Sequence, residues 1–228
     1  MNRVVRVVVV DDEALVRSGF GLILGASEDI EVVATASGGD AVDTVDTVRR
    51  EQPDVVLLDI RMPDVDGITV LRELRTMPDA PVVAMLTTFD ADEYILTALR
   101  CGAAGFLLKD TEPEQLAHLV RTLDAGGVVL SPKASRILLH DRPGTEAAVD
   151  EEAARVRLLT AREHDVLVLV AEGLSNADIG MRVHLGAGTV KDHVSAILTK
   201  LRVTSRVQAA LLAQRAGLLD ALTQEAGR

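Results

Sequence analysis

The chain has 228 residues and a formal net charge of −11, and its 48% of hydrophobic residues exclude wholesale disorder. At roughly 100–200 residues per domain, this length allows one large domain or two small ones. The single cysteine, Cys101, excludes a disulfide framework and a cysteine-based zinc site, and it points to a reducing compartment.

Apolar runs are short throughout the chain. No stretch approaches the ~18 apolar residues of a membrane span, and the apolar run near the N-terminus is too short for the core of a signal peptide. We therefore expect a soluble, cytoplasmic protein that has no membrane partner.

Charge is distributed unevenly. Residues 1–127 carry 11 basic and 23 acidic side chains, residues 128–157 are balanced, and residues 158–228 carry 8 basic and 7 acidic side chains. All of the excess negative charge therefore lies in the first half, which indicates two units with different partners. We predict a first domain at 1–127, a linker at 128–157 and a second domain at 158–228.

The first 127 residues alternate strand and helix patterns. Strands are predicted at Val4–Val10, Ile30–Ala34, Val55–Leu58, Pro81–Leu86 and Gly105–Leu108. Helical patterns follow them at residues 13–26, 39–51, 67–76, 91–101 and 112–125. Five repeats of strand and helix predict a doubly wound parallel sheet with helices on both faces. The third strand is expected at its centre, because it is apolar at every position.

The rest of the chain has no strand pattern. Residues 140–157 are polar and acid-rich, which predicts a linker that becomes partly helical near its end. Four helices follow: Thr160 and Glu163 form a capping box for the first, Ser175 caps the second, the third covers 187–201, and the fourth covers 205–219. A short turn between the second and third helices is typical of a helix-turn-helix module.

Polar side chains stand at four strand ends of the predicted sheet. They are Asp11 and Asp12 after the first strand, Asp59 after the third, Thr87 after the fourth and Lys109 after the fifth. Because the carboxyl ends of parallel strands meet at one edge, these side chains are expected to converge. Carboxylates at such close quarters repel one another unless a cation intervenes, and an oxygen-lined site suits Mg²⁺. An Asp there can act as a nucleophile toward a phosphoryl group, whose charge Lys109 and Thr87 would stabilise.

Each of these residues also has an ordinary explanation. A pair of aspartates after a strand is most often a helix cap, and an aspartate in a turn, a threonine at a strand end or a lysine at the surface is common. Their joint placement at four strand ends favours the functional interpretation. Gly67, in contrast, is interpreted only as a turn glycine.

The segments VVVVDDE, LLDIRMPDVDG, LTT and GFLLKD, in this order and spacing, resemble the receiver domain of two-component response regulators. The resemblance covers residues 4–127. It implies a flavodoxin-like, five-stranded domain in which Asp59 accepts a phosphoryl group from a histidine of a sensor kinase.

The same resemblance implies roles for the other residues of the site. The implied Mg²⁺ ligands are Asp11, Asp12, Asp59 and the backbone carbonyl of Arg61. Thr87 and Lys109 would sense the phosphoryl group. Phe106 stands where the family carries a rotating aromatic residue, often Tyr. It lacks the hydroxyl and is either that switch residue or a core aromatic.

The helix predicted at 187–201 has two different faces. An apolar stripe at helical spacing indicates packing against neighbouring helices and consists of Val190, Val194, Ile197, Leu198 and Leu201. The opposite face carries small polar residues that permit close approach to base edges, namely Gly188, Asp192, Ser195 and Thr199, with Lys191 beside them. Cations that could contact phosphates around it are Arg162, Arg182, Lys200, Arg202 and Arg206. A solvated surface is the ordinary alternative for these cations.

The segments LTARE, GLSNADI, TVKDHVSAILTKL and SRVQAALLA are similar to the LuxR-type helix-turn-helix domain of NarL/FixJ-type response regulators. This similarity covers residues 158–214. It implies that 187–201 is the recognition helix, that Thr189 and Lys191 contact the DNA backbone, and that the last helix forms a homodimer. Gly186 replaces the common Ser at a helix N-cap. Gly180 replaces a small Ala, which is expected to weaken the short second helix by up to ~1 kcal/mol.

The leading prediction is a DNA-binding transcription regulator, not an enzyme, that is switched by Mg²⁺-dependent phosphorylation of Asp59. Its partners would be a sensor histidine kinase and double-stranded DNA, with a homodimer as the phosphorylated form. One alternative is a phosphohydrolase, but such enzymes usually add a domain that forms a substrate pocket. Another is a DNA-binding protein independent of phosphorylation, which the complete set of site residues disfavours.

Overall fold

The computed structural model describes residues 3–88, 92–130, 134 and 146–218. The chain divides into two compact units, the first made of residues 1–124 and 129–138 and the second of residues 125–128 and 139–228. Within the described ranges, no helix is both long enough and apolar enough to span a bilayer.

Strands and helices alternate in the first unit. The strands are β1 (Val5–Val10), β2 (Ile30–Ala36), β3 (Val55–Asp59), β4 (Val82–Thr87) and β5 (Gly105–Leu108). The helices are α1 (Ala14–Gly25), α2 (Ala41–Glu51), α3 (Gly67–Arg75), α4 (Asp92–Arg100) and α5 (Pro113–Asp124). All strand pairs are parallel, in the order β2-β1-β3-β4-β5. The predicted doubly wound sheet is confirmed.

The centre of this sheet is covered on both faces. Every residue of β3 is buried, as its continuous apolar sequence predicts. On one face, α1 and α5 pack on the strands through side chains such as Phe20, Leu24 and Leu116. Each of β3 and β4 extends one residue further than predicted, so Asp59 and Thr87 are the last residues of their strands rather than the first residues after them. Both side chains are thereby fixed by the sheet rather than by a loop.

The described part of the second unit is helical. Its helices are α6 (Glu146–Val156), α7 (Ala161–Ala171), α8 (Asn176–Val183), α9 (Ala187–Leu201) and α10 (Arg206–Arg215). The Thr160–Glu163 capping box is present, and Ser175 accepts a hydrogen bond from the backbone N–H of Asp178. The four predicted helices of the helix-turn-helix module are therefore confirmed as α7 to α10.

Helix α6 lies in the part of the sequence predicted as a linker, but it packs on the second unit. Val156 is buried in the apolar core of that unit. The carboxylate of Glu152 accepts two hydrogen bonds from Arg215 at 2.7 and 2.9 Å, and Arg155 donates to the backbone carbonyl of Leu201 at 2.8 Å. The second unit therefore begins before residue 158, the predicted start of the second domain, because α6 already packs on it.

Gly180 has a packing role that the sequence did not show. A Cβ atom at this position would lie 2.5 Å from the backbone carbonyl oxygen of Leu185, in the turn between α8 and α9. The expectation that Gly180 merely weakens α8 is therefore incomplete, because the glycine lets the turn approach the helix.

Candidate functional site

The polar residues predicted at the strand ends lie at the carboxyl edge of the sheet. Lys109 is the central group, because its Nζ atom is 2.9 Å from Oδ2 of Asp11, 3.0 Å from Oδ2 of Asp59 and 3.2 Å from Oε1 of Glu13. Asp11 is 0% exposed and Asp59 is 3% exposed. One cation therefore faces three carboxylates, two of them buried.

Glu13 was not predicted as a site residue. It is the third acid of the run after β1, and its carboxylate reaches Lys109 although the residue itself is exposed. The available signal was its position two residues after Asp11, where the chain turns from β1 into α1. The backbone N–H of Glu13 donates to Oδ1 of Asp11 at 2.9 Å, which holds this turn closed.

Burial and charge shift the ionisation of the two central groups. Burial raises the pKa of Asp59 to about 6, with a smaller rise from the Asp11 charge, and the hydrogen bond from Lys109 opposes this rise. Burial lowers the pKa of Lys109, but its contacts with Asp11 and Asp59 outweigh this effect and raise the pKa overall. At neutral pH, Asp59 is therefore mostly a carboxylate and Lys109 is a cation.

A cavity of about 190 Å³ opens beside Asp59. It is lined by Glu13, Asp59, Ile60, Arg61, Thr87, Thr88 and Lys109. A single water needs only about 10–15 Å³ of such space, so the cavity has room for a phosphoryl group or a hydrated cation.

The donor set fits a hard divalent cation. Carboxylate oxygens of Asp11, Asp12 and Glu13 lie within 4.8 Å of one another. The Oδ2 atom of Asp11 is buried and accepts no hydrogen bond among the described residues, although Lys109 is close to it. Such oxygens are the ligands that Mg²⁺ prefers. The structure brings Asp59 to Lys109, whereas Asp12 lies on the exposed side of the acidic run.

The remaining predicted residues surround Asp59 in different ways. Thr87 lines the cavity, but its hydroxyl donates to the carbonyl of Thr88 at 2.8 Å. Phe106 is 1% exposed and belongs to the packed interior. A hydrogen bond from the backbone of Arg61 lowers the pKa of Asp59, and the Arg61 guanidinium lies 5.3 Å from the ring centroid of Tyr94.

Gly67 is more than a turn glycine. It is the first residue of α3, and a Cβ atom there would lie 2.0 Å from the backbone carbonyl oxygen of Asp59. Its N–H donates to the carbonyl of Ile60 at 3.0 Å. Because Gly67 has no side chain, α3 can begin directly against the backbone of Asp59.

In the second unit, α9 presents the two faces that the sequence predicted. Val190, Ile197 and Leu201 are at most 1% exposed. The polar residues on the outside are all exposed, namely Gly188, Thr189, Lys191, Asp192, Ser195 and Thr199. This face is available to a partner, and its contacts with DNA stay a prediction.

Arg206 does not belong to that exposed face. It is 8% exposed, and its guanidinium donates to the carbonyl of Leu174 and, at 2.8 Å, to Oδ1 of Asn176. Its interpretation as a DNA contact is therefore wrong in this structure. The sequence does not distinguish an arginine at the start of a helix that faces solvent from one that faces a neighbouring loop.

Three other residues that were predicted to contact phosphate also form hydrogen bonds or ion pairs within the second unit. Lys200 donates to both carboxylate oxygens of Glu163 at 2.6 and 2.7 Å. Arg162 donates to the carbonyl of Val183, and Arg182 pairs with Glu172 at 3.0 Å. These contacts fix helix ends around α9, so the three cations have structural partners.

We expect the Lys200–Glu163 pair to make this unit sensitive to acid. The hydrogen bond from Lys200, followed by that from Thr160, lowers the pKa of Glu163 from 4.5 to about 2. The stabilisation is complete above the unfolded-state pKa and disappears as pH falls toward the folded-state value. In thermal unfolding followed by circular dichroism, Glu163→Gln should lower Tm most near neutral pH, and its difference from wild type should shrink between about pH 5 and pH 2. A difference that does not change with pH would contradict this assignment, and Asp165→Asn at the exposed surface of α7 serves as control.

Comparisons with known proteins match both units. The response regulator receiver domain family matches residues 7–121, and the luxR family of bacterial regulatory proteins matches residues 157–213. LnrK, a transcriptional regulatory protein of Bacillus subtilis (strain 168), is 35% identical over 218 residues, covering 94% of this chain and 98% of LnrK. The nitrate/nitrite response regulator protein NarL of Escherichia coli (strain K12) is 34% identical over 205 residues, covering 90% of this chain and 93% of NarL.

A solved response regulator is similar over nearly the whole chain. The response regulator ChrA of a heme-sensing two-component system is 34% identical, with a TM-score of 0.50, and the match covers 93% of this chain and 97% of ChrA. Both family matches occur in the order of the two structural units, and the similarity to whole regulators extends over nearly the full length. The chain therefore belongs to the two-component transcriptional response regulators of the NarL type, which join a receiver domain to a LuxR-type helix-turn-helix domain.

Proposed function

We propose that a sensor histidine kinase phosphorylates Asp59 and that this reaction controls the binding of double-stranded DNA by the LuxR-type domain. The observation that carries the proposal is the contact of Asp59 with Lys109 at 3.0 Å inside a cavity at the carboxyl edge of the sheet. A carboxylate held beside a fixed cation and an open cavity is arranged for an incoming phosphoryl group.

The proposed transfer uses Asp59 as the nucleophile. One carboxylate oxygen attacks phosphorus, the phosphorus–nitrogen bond to the kinase histidine breaks, and its electron pair stays on the imidazole nitrogen, which takes up a proton. Lys109 stabilises the negative charge of the phosphoryl oxygens. Thr87 acts as a sensor when its hydroxyl leaves the carbonyl of Thr88 and donates to a phosphoryl oxygen.

Mg²⁺ is the cofactor of this proposal. Asp11, Asp12 and Asp59 with the Arg61 carbonyl would hold the ion, and Glu13 lies close enough to contribute to the same acidic group. When bound, the ion offsets the negative charge of the carboxylates and of the transferred group. Since Phe106 is buried and has no hydroxyl, a switch at this position would act by changing its packing in the core.

The output of the switch is binding of DNA by two copies of the chain. Helix α9 would enter the major groove with its polar face, Thr189 and Lys191 would contact the backbone, and α10 would carry the dimer contact. Response regulators of this family are generally DNA-binding proteins rather than enzymes, and we assign no catalytic turnover of a free substrate to this chain.

The test is phosphorylation by a small phosphodonor with Mg²⁺, followed by intact-mass measurement and DNA binding. Wild type should gain one phosphoryl group and bind DNA more tightly, whereas Asp59→Asn should gain none. Asp64→Asn is the matched control, because Asp64 is an exposed aspartate in the same β3–α3 loop and should leave labelling unchanged. Equal labelling of wild type and Asp59→Asn would overturn the assignment of the acceptor.

A further inference from the structure

The polar face of α9 carries two hydroxyl groups that form hydrogen bonds within the helix. The Ser195 hydroxyl donates to the backbone carbonyl of Lys191 at 3.0 Å, and the Thr199 hydroxyl donates to the carbonyl of Ser195 at 3.0 Å. Both hydroxyl protons are therefore used inside the helix. What these two side chains offer to a partner is the lone pairs of their oxygens, which accept hydrogen bonds.

Asp192 extends this pattern. An ionised carboxylate only accepts hydrogen bonds, and the exposed Asp192 side chain has no hydrogen bond or ion pair with another described residue. Asp192, Ser195 and Thr199 are spaced i, i+3 and i+7, so they share one face of the helix. We call these three residues the acceptor stripe.

The acceptor stripe is also accessible. Gly188, one turn before Asp192, has nothing within 4 Å of the position of a Cβ atom and adds no side chain to the face. The buried Val190 and Ile197 hold the opposite side of α9 against the core. The stripe is thus presented on a fixed helix surface that a nucleic-acid groove can approach closely.

We infer that the acceptor stripe selects bases that present amino groups in the major groove, and that Asp192 selects cytosine. This inference rests on the proposed DNA-binding function. Only the cytosine N4 and adenine N6 amines donate hydrogen bonds in the major groove. Adenine places the N7 acceptor beside its amine, which repels a carboxylate, whereas cytosine has no acceptor on its major-groove edge. Guanine and thymine present acceptors that repel Asp192.

The placement of an acid at this surface supports specificity rather than general affinity. Asp192 is repelled by the phosphates of any duplex, so it lowers the affinity for sequences that offer its carboxylate no hydrogen bond. A hydrogen bond from a correctly placed cytosine amine offsets it at one sequence position. The same side chain thus weakens non-specific binding and favours the matching site.

The experiment is binding-site selection from a random duplex pool with the full chain, pretreated with a small phosphodonor and Mg²⁺. Wild type should enrich cytosine at one position of each half-site. Asp192→Ala should reduce the preference there by about 5- to 150-fold and leave the other positions unchanged. Asp192→Asn should move the preference toward adenine, because an amide can both donate to N7 and accept from N6. Asp165→Asn removes the same charge from the exposed surface of α7 and should keep the wild-type preferences.

Two other results are distinguishable. If wild type enriches a sequence and Asp192→Ala keeps every base preference while binding all duplexes more tightly, Asp192 only repels phosphate and the inference is wrong. If wild type enriches no sequence at all, the proposed DNA-binding function fails, and the inference fails with it. Thermal unfolding of the Asp192 variants, expected to match wild type since the side chain is exposed, shows that the domain remains folded.

Discussion

Gly67→Ala is expected to destabilise the receiver domain by about 3 kcal/mol and to slow phosphorylation of Asp59. The new methyl group would lie 2.0 Å from the carbonyl oxygen of Asp59, 3.0 Å from its carbonyl carbon and 3.1 Å from Cα of Ile60. All three are backbone atoms, so no flexible side chain can move away. Either α3 or the end of β3 must shift, and a shift of β3 displaces Asp59 from Lys109. Urea unfolding and the initial rate of labelling by a small phosphodonor measure the two effects.

Gly19→Ala in α1 is the matched control for this substitution. Nothing lies within 4 Å of its Cβ position, and Gly19 is inside a helix. This variant should be more stable than wild type by ~0.5–1 kcal/mol, because alanine loses less conformational freedom in a helix than glycine. If Gly67→Ala were as stable and as rapidly labelled as wild type, the close approach of α3 to Asp59 would not constrain the site.

Arg206→Met should destabilise the DNA-binding domain by about 3 kcal/mol, because it removes charge-assisted hydrogen bonds to Leu174 and Asn176 in a buried setting. Burial lowers the pKa of Arg206 to about 10, which still leaves the guanidinium charged at neutral pH. The substitution should leave the salt dependence of DNA binding unchanged under conditions where the domain stays folded, since Arg206 does not face a phosphate. Unfolding by urea and a binding series in salt provide the two measurements.

Arg202→Gln is the contrasting variant. Arg202 is exposed at the end of α9 and was predicted to contact phosphate. Its removal should lower the slope of log affinity against log salt by ~0.9. Stability should stay within about 0.5 kcal/mol of wild type. A reduced slope for Arg206→Met with unchanged stability would restore Arg206 as a DNA contact and contradict the burial argument.

The order of strands and helices could be predicted from the sequence because their signals are local. Three examples are the continuous apolar run of β3, the Thr160–Glu163 capping box and the stripe on α9. Each of these signals comes from residues of a single element that are close together in the chain. The convergence of Asp11, Asp59 and Lys109 was also predictable, although they are far apart in the chain. Parallel strands place their carboxyl ends at one edge, so a position at a strand end is enough to place a side chain.

Only the tertiary structure decided which residues serve packing and which remain exposed. Gly67 and Gly180 have roles set by backbone atoms of an adjoining strand end or turn, five to eight residues away in the chain, and a glycine carries no side-chain pattern that reveals such a neighbour. Arg206 and Lys200 have the same chemistry as exposed cations, but the packing of α7 to α10 gives them partners within the domain. Local sequence indicates the type and order of the elements, whereas contacts between elements depend on distances that no local pattern contains.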